Sequence, residues 1–220
     1  MSVPALPDPA LPSPSDLDAA GPRLERLTLL FRLLVATGAL SIFSHLVALT
    51  HLPIPGIFGG SMLPLIDLVL RCAFVHEAVL LSKPIGKTPV ELGRASIILA
   101  FVIPIYNLFR PFGIIRALTA ASATDDLPAL RKLEARAGGY RQAALTERLI
   151  PPPAPPAPMV LAWQLTCGVG FFGIFIQPWV WLALTLSATA LQILVLARLL
   201  QRFRARYGHL RALADAATEA

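Results

Sequence analysis

The sequence predicts an all-α fold, a polytopic membrane helix bundle with four spanning helices plus a proline-kinked third segment that is re-entrant or interfacial. Three observations predict it. Of the 220 residues, 55% are hydrophobic and only 15% charged, well below the roughly 25% charged content of soluble domains. The apolar residues gather in blocks of about 17 to 25, the length that crosses some 30 Å of hydrocarbon at 1.5 Å per residue. The Lys and Arg residues sit in only some of the connections between those blocks.

The chain begins with MSVPALPDPALPSPSDLDAAGP, rich in proline and acidic residues and lacking Lys or Arg. A secretory leader needs a basic start and an apolar stretch. Residues 1–22 are therefore expected to be a disordered tail. The first apolar block runs from Leu27 to Leu49, with Arg23, Arg26 and Arg32 at its start and the breaker HLPIPG after it. The second lies between Ser61 and Ser82 and contains Asp67, Arg71, His76 and Glu77. The third, Ala95 to Phe109, continues into the amphipathic run RPFGIIRALTAA, so that residues 23–121 form one membrane unit.

A polar stretch and the spacer IPPPAPPAP make up residues 122–158, a connection expected to be cytoplasmic. The fourth block, Met159 to Gln177, and the fifth, Trp179 to Leu200, place two more helices within residues 159–201. Residues 202–220 are expected to form a basic amphipathic tail. Leu200, Phe203, Tyr207 and Leu210 share its apolar face, and Arg198, Arg202 and Arg206 point away toward anionic lipid.

Five blocks need not mean five spans. Lys83, Lys87 and Arg94 precede the third block, and Arg110, Arg116, Arg131, Lys132, Arg136, Arg141 and Arg148 follow it. Basic connections stay in the cytoplasm, so both flanks of the third block belong on one side and the block does not cross. Four spans with both termini inside obey the rule throughout. Pro104 and Pro111 agree, because each removes a backbone donor, and freed carbonyls cannot face lipid. An ordinary proline-kinked span is the competing arrangement.

The third block also carries a family likeness. Phe101, Pro104, Asn107, Leu108 and Pro111, with Thr88-Pro89 upstream, form a Phe-x-x-Pro-x-x-Asn-Leu-x-x-Pro core. This kink motif (Phe101, Pro104, Asn107, Pro111) resembles that of the domain-of-unknown-function 4328 family of bacterial integral membrane proteins. The likeness in layout extends over Leu24 to Tyr207. Family members carry tryptophan beside the motif and a Trp-Trp pair in the next helix, whereas this chain has Ala100-Phe101 and a lone Trp163. The resemblance implies a bacterial inner (cytoplasmic) membrane location and a multi-helix architecture, and it implies no activity.

The polar residues within apolar blocks are the candidate site. Asp67 and Arg71 are four apart on one helix face and can neutralise each other, which matters because an ionised residue near the midplane costs about 2.5–3.5 kcal/mol to insert. They either fix helix register, with Gln164, Gln192 or Asn107 as partners, or line a polar path together with Asn107 and Arg110. Asn107 can cap carbonyls freed by the prolines, and Arg110 can hold a phosphate as a fork.

His45, His76 and Glu77 lack metal-ligand spacing, so no metal is expected. Trp163, Trp179 and Trp181 fit an interfacial aromatic belt. Gly168, Gly170 and Gly173 permit close helix contact. Cys72 and Cys167 read as inert buried thiols.

No nucleotide loop, nucleophile elbow or catalytic carboxylate pair is present. The sequence therefore points away from an enzyme, a cofactor or a nucleic-acid partner. It leaves two classes. One is a non-enzymatic membrane scaffold or interaction protein that binds anionic lipid and, through its cytoplasmic loop, protein partners. The other is a small, homo-oligomeric transporter or channel with Asp67, Arg71, Asn107 and Arg110 on its path.

Overall fold

A computed structural model of the chain describes residues 12–49, 62–124, 153–171 and 178–218. Six helices make up the secondary structure there, with no strand among the described residues. They are α1 (Pro14–Leu49), α2 (Met62–Ile85), α3 (Arg94–Val102), α4 (Pro104–Ala121), α5 (Ala157–Phe171) and α6 (Pro178–Thr218). The expected loops at 51–61 and 125–152, and the 172–177 connection, lie outside the described residues.

The first departure from expectation is the start of α1. Ser13 and Asp16 form a reciprocal cap: the Asp16 backbone N–H donates to Ser13 Oγ at 3.2 Å, and the Ser13 N–H donates to Asp16 Oδ2 at 3.1 Å. Pro14 occupies the first helical position, where its missing N–H costs nothing. Residues 14–22, expected to be disordered, are therefore helical, and Leu17 and Ala20 are buried.

Their cover comes from α6. Gly21 faces the Tyr207 hydroxyl, and Gly38 lies against Thr189 and Ile193. A Cβ on Gly38 would come within 2.7 Å of the Thr189 methyl, so glycine here sets how closely α1 and α6 approach. Arg211 reaches Asp18 at 3.2 Å near the far end. These contacts make α1 and α6 antiparallel along much of their length. The segment expected as a separate tail from residue 202 onward is a continuation of the α6 helix, which runs 41 residues without a break.

Two helical segments, Pro14–Val47 and Leu182–Ala212, are long and apolar enough to cross a membrane, each containing an 18-residue stretch with a mean hydropathy of 1.8. The expected four spanning helices are thus matched at two. Charge is the reason for α2, which has 24 residues but carries Asp67, Arg71, Glu77 and Lys83. Length is the reason for α5, of which 15 residues are described, against the roughly 20 needed to span.

Packing is densest at one end of the bundle. Phe74, Val75, Ala78, Val79, Leu81 and Ile85 on α2 are buried, together with Ile114, Ile115 and Leu118 of α4 and Leu196, Leu199 and Phe203 of α6. The opposite half of α2 shows the reverse, with Met62, Leu65, Ile66 and Val69 exposed. Phe43 and Leu46 near the end of α1 are exposed as well.

The third apolar block folds as a helical hairpin. α3 stops at Val102, Ile103 adopts an extended conformation (φ −80°, ψ 117°), and α4 begins with Pro104. Proline pushes the residue before it out of the helical region, and it is itself well suited to a first helical turn. The predicted kink is therefore a break in front of Pro104, while Pro111 lies inside an α4 that continues to Ala121.

The two ends of this hairpin segment meet. The Lys87 backbone N–H donates to the Ala121 carbonyl at 2.8 Å. Arg206 of α6, only 3% exposed, donates from its guanidinium to the carbonyls of both Ile85 and Ala123. Arg202 donates to Ser122 Oγ at 3.2 Å and to the Thr119 carbonyl at 3.4 Å. Helix C-termini leave carbonyls without partners and carry partial negative charge, and here two arginines supply both the donors and the charge. Arg202 and Arg206, expected to face lipid, instead turn inward onto the ends of α2 and α4.

The α2 exit is equally constrained. The Gly86 N–H donates to the Ser82 carbonyl at 2.9 Å, and a Cβ on Gly86 would stand 2.2 Å from that oxygen. Ser82 Oγ in turn accepts from the Val90 N–H at 3.1 Å, holding the 86–93 connection against α2. Glycine at 86 is the residue that lets the chain turn there.

Candidate functional site

The polar residues of α2 fall into two groups, one in mid-helix and one nearer its C-terminal end. In mid-helix, Arg71 donates to Asp67 Oδ2 across one turn. Gln192 of α6 donates from Nε2 to the other carboxylate oxygen, Asp67 Oδ1, at 3.0 Å. The Arg71 guanidinium lies over the Trp163 ring of α5, 5.6 Å from its centroid, within reach of a cation–π attraction. Three helices are joined through one charge pair.

This arrangement follows from local sequence. The four-residue spacing brings Asp67 and Arg71 together, and the parallel course of α2 and α6 brings Gln192 alongside. Side-chain exposure is 13% for Arg71 and 21% for Asp67, so both are largely withdrawn from the surroundings. Of the sequence candidates for a partner, Gln192 takes the role. Gln164 is buried nearby in α5, and the Asn107 side chain lies outside the described residues.

Trp163, expected in an interfacial belt, is 1% exposed and packed inside the bundle. Its nearest signal in the sequence was its isolation as the single tryptophan of α5. The side chains of Trp179, Trp181 and Cys167 lie outside the described residues, while Cys72 is a free thiol.

Toward the C-terminal end of α2, His76 and Glu77 face different partners. Arg94 at the start of α3 donates from Nε to His76 Nε2 at 3.0 Å. That places the ring proton on Nδ1 when the imidazole is neutral. Glu77 meets Arg23 of α1 at 3.8 Å. Sequence reading set these two residues aside as unsuited to metal. Instead they tie α1 and α3 to α2 at one level of the bundle. No group of three or more His, Cys, Asp or Glu placed to hold a metal occurs among the described residues.

Arg110 stands apart from the Asp67–Arg71 pair. It is exposed on α4 and lines a groove of about 480 Å³ between α4 and the Thr88–Leu92 connection. Thr88, Pro89 and Glu91 form the opposite wall. The four residues expected to share one polar path therefore include a closed pair in the bundle and an arginine in a surface groove.

Chemically, the mid-helix group has neither an activated nucleophile nor two carboxylates set for acid–base work. It is a neutralised charge pair with its acceptors occupied. Comparison with protein-family models, with curated proteins and with solved structures finds no match for this chain.

Proposed function

We propose that this chain is a multi-pass membrane scaffold, non-enzymatic, with α1, α2, α5 and α6 as spans and the α3–α4 hairpin inserted from the cytoplasmic leaflet. The observation that carries this reading is the closed network Asp67–Arg71–Gln192–Trp163. A conduction path needs polar groups free to exchange partners with a passing ion. Here the carboxylate is occupied by two donors, and the guanidinium by the carboxylate and an aromatic face.

Membrane placement draws on further support. Exposed Met62, Leu65, Ile66, Val69 and Phe43 are a liability in water and ordinary in lipid. Three of the four charges that keep α2 from looking like a span, Asp67, Arg71 and Glu77, are paired within the protein, which lowers their cost of insertion. The resemblance of the Phe101–Pro111 run to the domain-of-unknown-function 4328 family points to the same bacterial inner-membrane setting. The basic ends of α1 and α6 lie on one side of the bundle, where positive residues mark the cytoplasm and meet anionic lipid. That face, together with the 125–152 segment, is the surface offered to protein partners.

The test is replacement of Asp67 and Arg71 together by leucine, followed by reconstitution into vesicles. A scaffold gives the same ion and proton leak before and after the change, and keeps the proteins that co-purify with it. A wild-type flux that the double variant abolishes contradicts the scaffold reading and restores the oligomeric channel or transporter.

A further inference from the structure

The groove between α4 and the Thr88–Leu92 connection holds two opposite charges that do not use each other. Arg110 and Glu91 both line it, both are exposed, and neither makes a hydrogen bond or ion pair among the described residues. Thr88 adds a hydroxyl on the wall that carries Glu91, and Val90, Ile114 and Ala117 give the groove an apolar floor. Most charged side chains elsewhere in the bundle behave differently: Arg71, Arg94, Arg202 and Arg206 are all committed to internal partners.

From this pairing we infer that the groove binds a zwitterionic phospholipid with a primary ammonium headgroup, of the phosphatidylethanolamine type. The guanidinium of Arg110 offers a planar fork to the phosphate. The Glu91 carboxylate, a pure acceptor, takes the ammonium, which carries three donors. The apolar floor receives the first carbons of an acyl chain. The volume of about 480 Å³ is in the range of small-ligand sites and holds a headgroup rather than a whole lipid.

The charge arrangement selects among lipids. An anionic glycerol headgroup satisfies Arg110 but brings nothing to Glu91, and its net charge is repelled by that carboxylate. A trimethylated ammonium has no N–H to give. The groove lies on the side of the bundle where α2 and α4 end, which is the level of the cytoplasmic headgroups in the membrane placement proposed above. The inference rests on that placement for its biological setting.

The experiment is native mass spectrometry of the full-length protein released from detergent, with phosphatidylethanolamine, phosphatidylcholine or phosphatidylglycerol of matched acyl chains added. It needs no membrane orientation, so it can fail while the topology holds, and the reverse. The wild type is expected to retain one phosphatidylethanolamine at a concentration about tenfold below that needed for either other lipid.

Arg110→Gln weakens that adduct about tenfold. Glu91→Gln removes the preference over phosphatidylglycerol while leaving Arg110 able to hold phosphate. Neither side chain has an internal partner among the described residues, so both variants should match the wild-type thermal transition. Arg32→Gln, on the separate groove formed by α1 and α6, leaves the adduct unchanged. Equal retention of the three lipids by the wild type, or an adduct indifferent to both Arg110→Gln and Glu91→Gln, overturns the assignment.

Discussion

Replacing Asp67 alone by alanine is expected to lower stability by about 3 kcal/mol or more, and replacing Asp67 and Arg71 together by leucine to cost less than about 1 kcal/mol. Removing one partner leaves a charge of low exposure without its counter-ion, the situation in which losses of roughly 3–5 kcal/mol are seen. Arg71 would lose its counter-ion while keeping its contact with the Trp163 face, and Gln192 would lose its acceptor on Asp67. Removing both charges takes away the desolvation cost along with the attraction. What remains is an unpaired Gln192 amide, worth about 0.6 kcal/mol on the scale of interhelical hydrogen bonds in membranes. Thermal unfolding in detergent, followed by the monodisperse fraction, reads both variants. Additive losses would mean that the pair is two independent contacts rather than the joint between α2, α5 and α6.

The second large effect is expected at Arg206. Arg206→Met keeps the bulk of the side chain but deletes the donors to the Ile85 and Ala123 carbonyls. Hydrogen bonds from charged groups contribute about 1.5–3 kcal/mol each, so a loss of about 3 kcal/mol is expected. Arg206→Lys retains the charge but cannot spread a planar fork between two helix ends, and is expected to recover less than half. Hydrogen exchange separates this from a general loss of stability. The Lys87 amide, bonded to the Ala121 carbonyl, should become the most accelerated site in the Met variant. Unchanged exchange at Lys87 would show that α2 and α4 are held together by their apolar contacts alone.

Much of this geometry was legible in the sequence. The apolar blocks became helices, the four-residue spacing of Asp67 and Arg71 became a pair, and Gln192 was among the partners foreseen. The break at Pro104 follows from proline chemistry and needs no tertiary context.

The misreadings have identifiable causes. Composition argued for a disordered start, yet Ser13-Pro14-Ser15-Asp16 is a capping box with proline in the first turn, a signal stronger than proline content. Arg202 and Arg206 formed a polar stripe on α6, and such a stripe meets helix C-termini as well as it meets water. Periodicity cannot tell the two apart. Trp163 belonged to a strongly apolar helix, so its inward direction depended on tertiary packing that periodicity does not record.

What organises the whole is the return of the third segment to its starting side, with Lys87 bonded to Ala121 and Arg206 clasping both flanks. Membrane-impermeant labelling of single cysteines in intact cells and inverted vesicles measures this directly, with reporters at Lys87, Arg136, Pro53 and Pro178. Positions 87 and 136 should react only in inverted vesicles, and positions 53 and 178 only in intact cells. Labelling of 87 and 136 from opposite faces would make the third segment a true span and contradict the proposed membrane placement.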